Sequence, residues 1–187
     1  MGLYRVERLK QDYDVEVEWK AFELRSDIPR EGQPRPPKPG DIDGLKPITR
    51  SMADEIHVTM KRPGFYAHTR LAFEATEYAK EQLKFDEFHL GMFKAYWEKG
   101  LNIGLVNVIR DVAVECGMDG DELERCLKEG WYTGEIDLQN EEARALGIDR
   151  TPSFIIGNRL ARGVAPYDQF QKLMETVRKT NEESGSD

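Results

Sequence analysis

Apolar residues switch between helical and strand spacing along this chain, and the switches outline its elements. Leu3, Val6, Leu9 and Tyr13 recur three and four residues apart, so residues 2 to 13 read as an amphipathic helix. Residues 15 to 22 then alternate, with Val15, Val17 and Trp19 on one face, as a strand does. Helix followed by strand, with nothing ahead of the helix, looks like a βαβ unit without its first strand. From Ser26 to Pro47 six prolines and three glycines forbid regular helix and predict an extended surface loop.

Helical spacing returns and dominates the middle of the chain. Thr49 can cap a helix running to about Lys61, which Pro63-Gly64 breaks. Phe65 to Lys84 presents Leu71, Ala72, Ala75, Tyr78 and Ala79 on one side, and Phe85 to Lys99 presents Phe88, Met92, Phe93 and Trp97. Ile103 to Glu115 and Asp121 to Lys128 follow, with Asp121 as the expected cap, and a short helix over Gln139 to Leu146 ends at Gly147. The period then returns to that of a strand. Phe154 to Ile156 and Leu160 to Val164 flank Gly157-Asn158, a hairpin turn signal. Pro166 suits a helix start, and Phe170, Leu173, Met174 and Val177 line that helix. The polar tail from Asn181 is expected to fray.

Composition narrows the function classes. The 187 residues suffice for one domain with an insertion, and 27 basic against 35 acidic residues give a net charge of -8. That charge repels polyphosphate and argues against nucleic-acid binding. No apolar run approaches a membrane span and no signal-peptide core opens the chain, so the expected compartment is the cytoplasm. Cys116 and Cys126 are too few for a disulfide scaffold and do not form a Cys-x-x-Cys unit. They read as buried, inert thiols. His57, His68 and His89 fall on three different expected helices without neighbours at ligand spacing, so no metal site is expected. Core packing accounts for most of the aromatic stretch Phe85, Phe88, Phe93, Tyr96 and Trp97.

Several spaced segments carry a resemblance. Glu18-Trp19-Lys20-Ala21-Phe22-Glu23-Leu24, followed by Asp27-Ile28-Pro29 and Glu31-Gly32, is one. Phe93-Lys94-Ala95-Tyr96-Trp97-Glu98-Lys99-Gly100-Leu101-Asn102-Ile103 is another. Ala143 to Phe154, with Arg150-Thr151-Pro152, and Gly163-Val164-Ala165-Pro166-Tyr167 complete the set. In this order they resemble the DsbA-like thiol-disulfide oxidoreductases, in particular the cytoplasmic FrnE-like branch, over nearly the whole chain.

The resemblance implies an α/β fold: a thioredoxin-like sheet formed by 1–48 and 138–187, with an all-helical domain inserted at 49–137. In that family a first strand leads into Cys-Pro-x-Cys, then an aromatic residue, an aliphatic residue and glycine. Met1-Gly2 falls on the last pair. The expectation is therefore that the strand and both catalytic cysteines lie upstream of Met1, so that no catalytic residue stands in this chain and it is inactive alone. A cysteine at a helix start gains thiolate character from the unpaired N–H groups there, which explains the family's placement.

The resemblance also makes Thr151-Pro152 a cis-proline loop. There the backbone of Thr151 pairs with an extended substrate strand, and Arg150 is a nearby contact. The implied partners are thiol or disulfide substrates, protein or small molecule, with no cofactor and no membrane. Two rivals share the fold. A kappa-type transferase or hydroxychromene-carboxylate isomerase relative would hold glutathione against the proline loop, and a non-enzymatic peptide-binding or holdase module would use a groove. An absent strand would leave open edges, so a homodimer is a further expectation.

Overall fold

A computed structural model describes residues 2–36, 50–51, 53–54, 59–163 and 165–184. It divides into two compact units, residues 1–19 with 143–187 and residues 20–142.

The first unit holds helix α1 (Gly2–Asp12), a hairpin of β3 (Ser153–Ile156) and β4 (Arg159–Arg162), and helix α7 (Tyr167–Ser184). β3 and β4 pair antiparallel with Ile156 opposite Arg159, leaving Gly157-Asn158 as the two-residue turn. Gly157 has φ of +59°, a conformation that suits glycine in such a turn. Leu9, Tyr167, Phe170 and Met174 form the core, with Tyr13, Val15, Phe154, Ile156 and Ala165 packed around them. Phe170 is almost fully buried and meets Phe154 edge-on, ring centroids 4.9 Å apart. Its burial contributes about 2–3 kcal/mol. The Tyr167 hydroxyl donates to the Asp12 carboxylate at 2.7 Å and the Arg8 guanidinium lies 3.9 Å from the same ring, fixing the start of α7 to the end of α1.

Residues 15 to 22, expected to be a strand, are extended but belong to no ladder. The alternation itself is retained: Val15, Val17 and Trp19 are half-buried, while Glu16, Glu18 and Lys20 are exposed. Burial on one face holds the period-two conformation, and strand assignment additionally needs a hydrogen-bonded neighbour.

The second unit contains a short antiparallel pair, β1 (Gln33–Pro34) and β2 (Phe65–Tyr66), and helices α2 (Arg70–Glu81), α3 (Phe85–Trp97), α4 (Val106–Glu115), α5 (Gly120–Glu129) and α6 (Thr133–Ala145). The fully buried Ala75, Ala79, Phe88, Ile109 and Leu123 knit α2 to α5 into one core. Small residues on α2 permit close helix packing, and the larger side chains of α3 and α4 fill the space.

Several boundaries differ from the expected ones. α2 begins at Arg70, because Phe65 and Tyr66 are taken up by pairing with β1, a pair extended by the Arg35 amide donating to the Gly64 carbonyl at 2.8 Å. Asp119, not Asp121, caps α5, its carboxylate accepting from the Asp121 and Glu122 amides. α6 starts at Thr133, six residues ahead of expectation, where the fully buried Ile136 anchors its first turns. Of the helix expected from Thr49 to Lys61, Arg50, Ser51, Ala53 and Asp54 are helical and 59–61 are not; the remaining positions lie outside the described residues.

Compactness also divides the chain at points other than 48 and 138. Segment 20–36 packs within the helical unit because side chains there satisfy its backbone. Gln139 accepts from the Ala21 amide at 2.6 Å, Asn140 accepts from the Glu23 amide at 2.8 Å, and Asn102 donates to the Glu31 carbonyl at 3.1 Å.

Candidate functional site

The site is built where the β3 entry meets the first turn of α1. The peptide bond Thr151–Pro152 is cis. The Gly163 amide donates to the Pro152 carbonyl at 2.8 Å, and the Ser153 hydroxyl donates to the Arg150 carbonyl at 2.8 Å. These two bonds pin the loop on both sides of the proline.

Gly2 opens α1 directly against this loop. A Cβ placed on Gly2 would lie 3.2 Å from Pro152 Cβ, 3.3 Å from Pro152 Cγ and 3.7 Å from Phe154 Cζ. A side chain there would need the proline to give by a few tenths of an ångström, which glycine avoids. The first turn of α1 carries no acidic residue, so its free N–H groups and positive end are not offset by a carboxylate of their own turn.

Thr151 is exposed and Pro152 half-buried, so the loop presents backbone to its surroundings. Arg150 is exposed as well, but Asp149 engages it through paired contacts, Nε to Oδ1 at 2.9 Å and Nη2 to Oδ2 at 3.0 Å. Arg162 Nε approaches the same carboxylate at 3.6 Å. The Arg150 hydrogen bond holds the Asp149 carboxyl below its usual range. Asp149 did not stand out in the sequence; its adjacency to Arg150 was the available signal.

The two cysteines belong elsewhere. Both are free thiols in the helical unit, Cys116 at the end of α4 and Cys126 inside α5. Burial pushes both thiols up, with Glu87 adding to it at Cys116 and Glu122 at Cys126. Such thiols are poor nucleophiles. His89 stacks on Phe93 and meets Phe85 at a tilt of 55°, ring centroids 4.9 Å apart in both pairs, and burial brings its pKa down to about 4. His68 is half-buried ahead of α2, and His57 lies outside the described residues. Of the aromatic stretch, Phe88 and Tyr96 are buried in the core while Phe93 is 48% exposed. Among the described residues, no three His, Cys, Asp or Glu side chains stand together as a metal site, and no helix is long and apolar enough to cross a membrane.

Sequence reasoning also missed a polar cluster in the helical unit. Arg70 contacts Glu23 at 2.9 Å, Glu74 at 3.0 Å and Asp137 at 2.7 Å. Burial opposes the Arg70 charge, but the hydrogen bonds it donates to Glu23, Asp137 and Glu74 outweigh it and raise its pKa. The Arg70/Glu74 spacing of four was the one legible trace.

A helix start set against a proline-bounded hairpin, with a helical unit between them in sequence, defines a thioredoxin-like α/β fold carrying a helical insertion. Comparison with known proteins gives the family. Residues 1–175 match the DSBA-like thioredoxin domain, and the chain belongs to that family. An uncharacterized protein of Bacillus subtilis, YwbO, is 31% identical over 173 residues, covering 89% of this chain and 84% of that protein. Two solved structures share the fold. A probable DsbA oxidoreductase from Streptomyces coelicolor has a TM-score of 0.78 at 17% identity, covering 95% of this chain and 83% of that one. A 2-hydroxychromene-2-carboxylate isomerase has a TM-score of 0.70 at 18% identity, covering 97% of this chain and 89% of that one.

Proposed function

We propose that this chain is the substrate-facing part of a thiol-disulfide oxidoreductase of the FrnE-like kind, and that its reactive dithiol comes from outside these 187 residues. The observation that carries the reading is that the Pro152 ring lies beside Gly2 in the first turn of α1, at the position a Cβ there would press against. A thiolate held at that helix start would be stabilised by its N–H groups and would lie beside the backbone of Thr151. Thr151 offers hydrogen-bonding groups to an extended substrate strand, and Pro152 shapes the approach. Attack of the thiolate on a substrate disulfide forms a mixed disulfide and expels one substrate thiolate. The second thiol then displaces the remaining substrate sulfur, leaving the enzyme oxidised and the substrate reduced. Arg150, already engaged by Asp149, has a supporting role.

Insulin reduction with dithiothreitol tests this. The 187-residue chain alone should not accelerate turbidity. A version extended ahead of Gly2 by a strand ending in Cys-Pro-x-Cys and its two following residues should. Pro152→Ala in the extended form should cut the rate at unchanged helical circular dichroism. Robust turnover by the unextended chain, or an extended form indifferent to Pro152, would sink the proposal.

A second reading draws on the isomerase structure, in which the same fold serves carbon chemistry. On that reading a serine replaces the dithiol and glutathione lies against the Pro152 loop. Calorimetry on a form extended instead with serine in place of the dithiol tests it, since saturable glutathione binding there, with no insulin reduction by the Cys-Pro-x-Cys form, favours the isomerase.

A further inference from the structure

The helical unit gathers positive charge around one phenol, although the chain as a whole carries a net charge of -8. The ring of Tyr66 has the Arg35 guanidinium carbon 4.0 Å from its centroid and that of Arg25 at 4.2 Å. Arg62 hydrogen-bonds its hydroxyl. Three cations from three different stretches of chain thus converge on one side chain, and the β1–β2 pair, with Gln33 opposite Tyr66 and the Arg35 amide donating to the Gly64 carbonyl, holds Arg35 beside Tyr66.

From this geometry we propose that Arg25, Arg35, Arg62 and Tyr66 form a binding site for a phosphate-class oxyanion. Arg35 carries most of the argument. Among the described residues its hydrogen-bond partners are neutral, the Pro63 carbonyl at 3.4 Å and the Tyr96 hydroxyl at 3.1 Å, and its Nε–H is buried without an acceptor. A buried charged donor left this way is costly unless an anion meets it. Among the described residues Arg25 reaches a carboxylate only at 4.0 Å, that of the largely exposed Asp27, a weak contact. The Tyr66 hydroxyl accepts from Arg62 and keeps its own proton to donate.

The class of ligand follows from charge and shape. Guanidinium forks match the oxygens of phosphate in pairs, and a phosphate dianion supplies more charge and more acceptors than a carboxylate. The phenol is already tuned to this field: burial, which would raise it, is outweighed by Arg62, Arg35 and Arg25, and it lies below its ordinary value.

The full chain is titrated at constant ionic strength with inorganic phosphate, with glycerol 2-phosphate and with acetate. Arginine Nε–H and Tyr66 ring resonances are followed by NMR. Phosphate or the phosphomonoester should give saturable shifts at Arg35 and Tyr66. Tighter binding of the ester would identify an organophosphate ligand, and equal binding the free oxyanion. Arg35→Gln should weaken binding about tenfold or more. Arg25→Gln, which changes a residue outside both β1 and β2, should weaken it in a chain that keeps its fold. No saturable shift, an equal response to acetate, or indifference to both substitutions overturns the site. None of these outcomes bears on the sulfur-exchange reading, which concerns the other compact unit.

Discussion

Replacing Arg70 with methionine is the sharpest test of what holds the helical unit together. The Arg70 side chain is 16% exposed, and it faces Glu23 at 10% and Glu74 at 4% exposure. Removing the guanidinium leaves both carboxylates in place with reduced compensation. Glu74 keeps a 3.1 Å hydrogen bond from the Thr133 hydroxyl, and Glu23 keeps the Asn140 amide at 3.3 Å. Breaking a buried pair by deleting one partner costs about 3–5 kcal/mol. The surviving donors and the exposed position of Asp137 favour the low end, about 3 kcal/mol. For a chain of this size that is a fall of roughly 6–12 °C in Tm. Hydrogen exchange should quicken first at the Glu23 amide, whose acceptor Asn140 also bonds the Glu23 carboxylate that Arg70 holds. Adding Glu74→Leu to Arg70→Met should recover part of the loss, because it removes the stranded charge. A fall in Tm below about 2 °C for Arg70→Met, with no coupling between the two substitutions, would refute the reasoning.

Two further predictions concern pH. His89, ordinarily near 6.5, is brought down to about 4 by burial against Phe85 and Phe93. The unfolded chain therefore binds the extra proton first, and stability falls as pH drops from about 6.5 towards 4, by roughly 1–3 kcal/mol from this group. In urea melts across that window the stability of wild type should fall relative to His89→Phe, and a difference that does not change with pH would exonerate His89. Tyr167 is pushed up to about 12 by burial and by its hydrogen bond to Asp12. The folded state keeps that proton longer than the unfolded one, so its contribution is complete below about pH 10 and is lost as pH rises towards 12. Tyr167→Phe should be less stable at neutral pH and should lose less on going to pH 12, as measured by circular dichroism melts.

How much was legible follows from where periodicity is enforced. α1, α3 and the β3–β4 hairpin lie close to expectation because one face of each is buried and the turn at Gly157-Asn158 permits little else. The start of α2 was misread because helical spacing from Leu71 onward was extended back over Phe65 and Tyr66, whose strand pairing depends on Gln33 and Pro34 some thirty residues away. A loop rich in proline gave no hint of that partner. The strand expected at 15–22 shows the converse, a local pattern that is present while the neighbour a ladder needs is not among the described residues. The proline loop could be named from the sequence, but its contact with Gly2 joins residues 150 positions apart and only packing reveals it. The Arg70 and Tyr66 clusters were illegible for the same reason. Each draws on segments whose meeting is set by the fold, and their charged residues look individually like ordinary surface positions.

The cysteines permit a final discrimination, because a chain in a disulfide-exchange family with two thiols invites the assumption that those thiols react. An ordinary cysteine near pKa 8.5 is about one-tenth thiolate at pH 7.5, and burial lowers that fraction further for Cys116 and Cys126. Cys126 is also 1% exposed, so an attacking disulfide cannot reach its sulfur without opening α5. Their reaction with a thiol-specific chromogenic disulfide should be slow in the native chain and fast in urea. In the extended form bearing Cys-Pro-x-Cys, Cys116→Ala with Cys126→Ala should leave insulin reduction within about twofold, less than half a kcal/mol in the barrier. Stability should drop by roughly 1 kcal/mol from the lost sulfur packing in the core. Loss of most of the activity in the alanine pair would move the chemistry into the helical unit and leave the contact between Gly2 and Pro152 without a role in exchange.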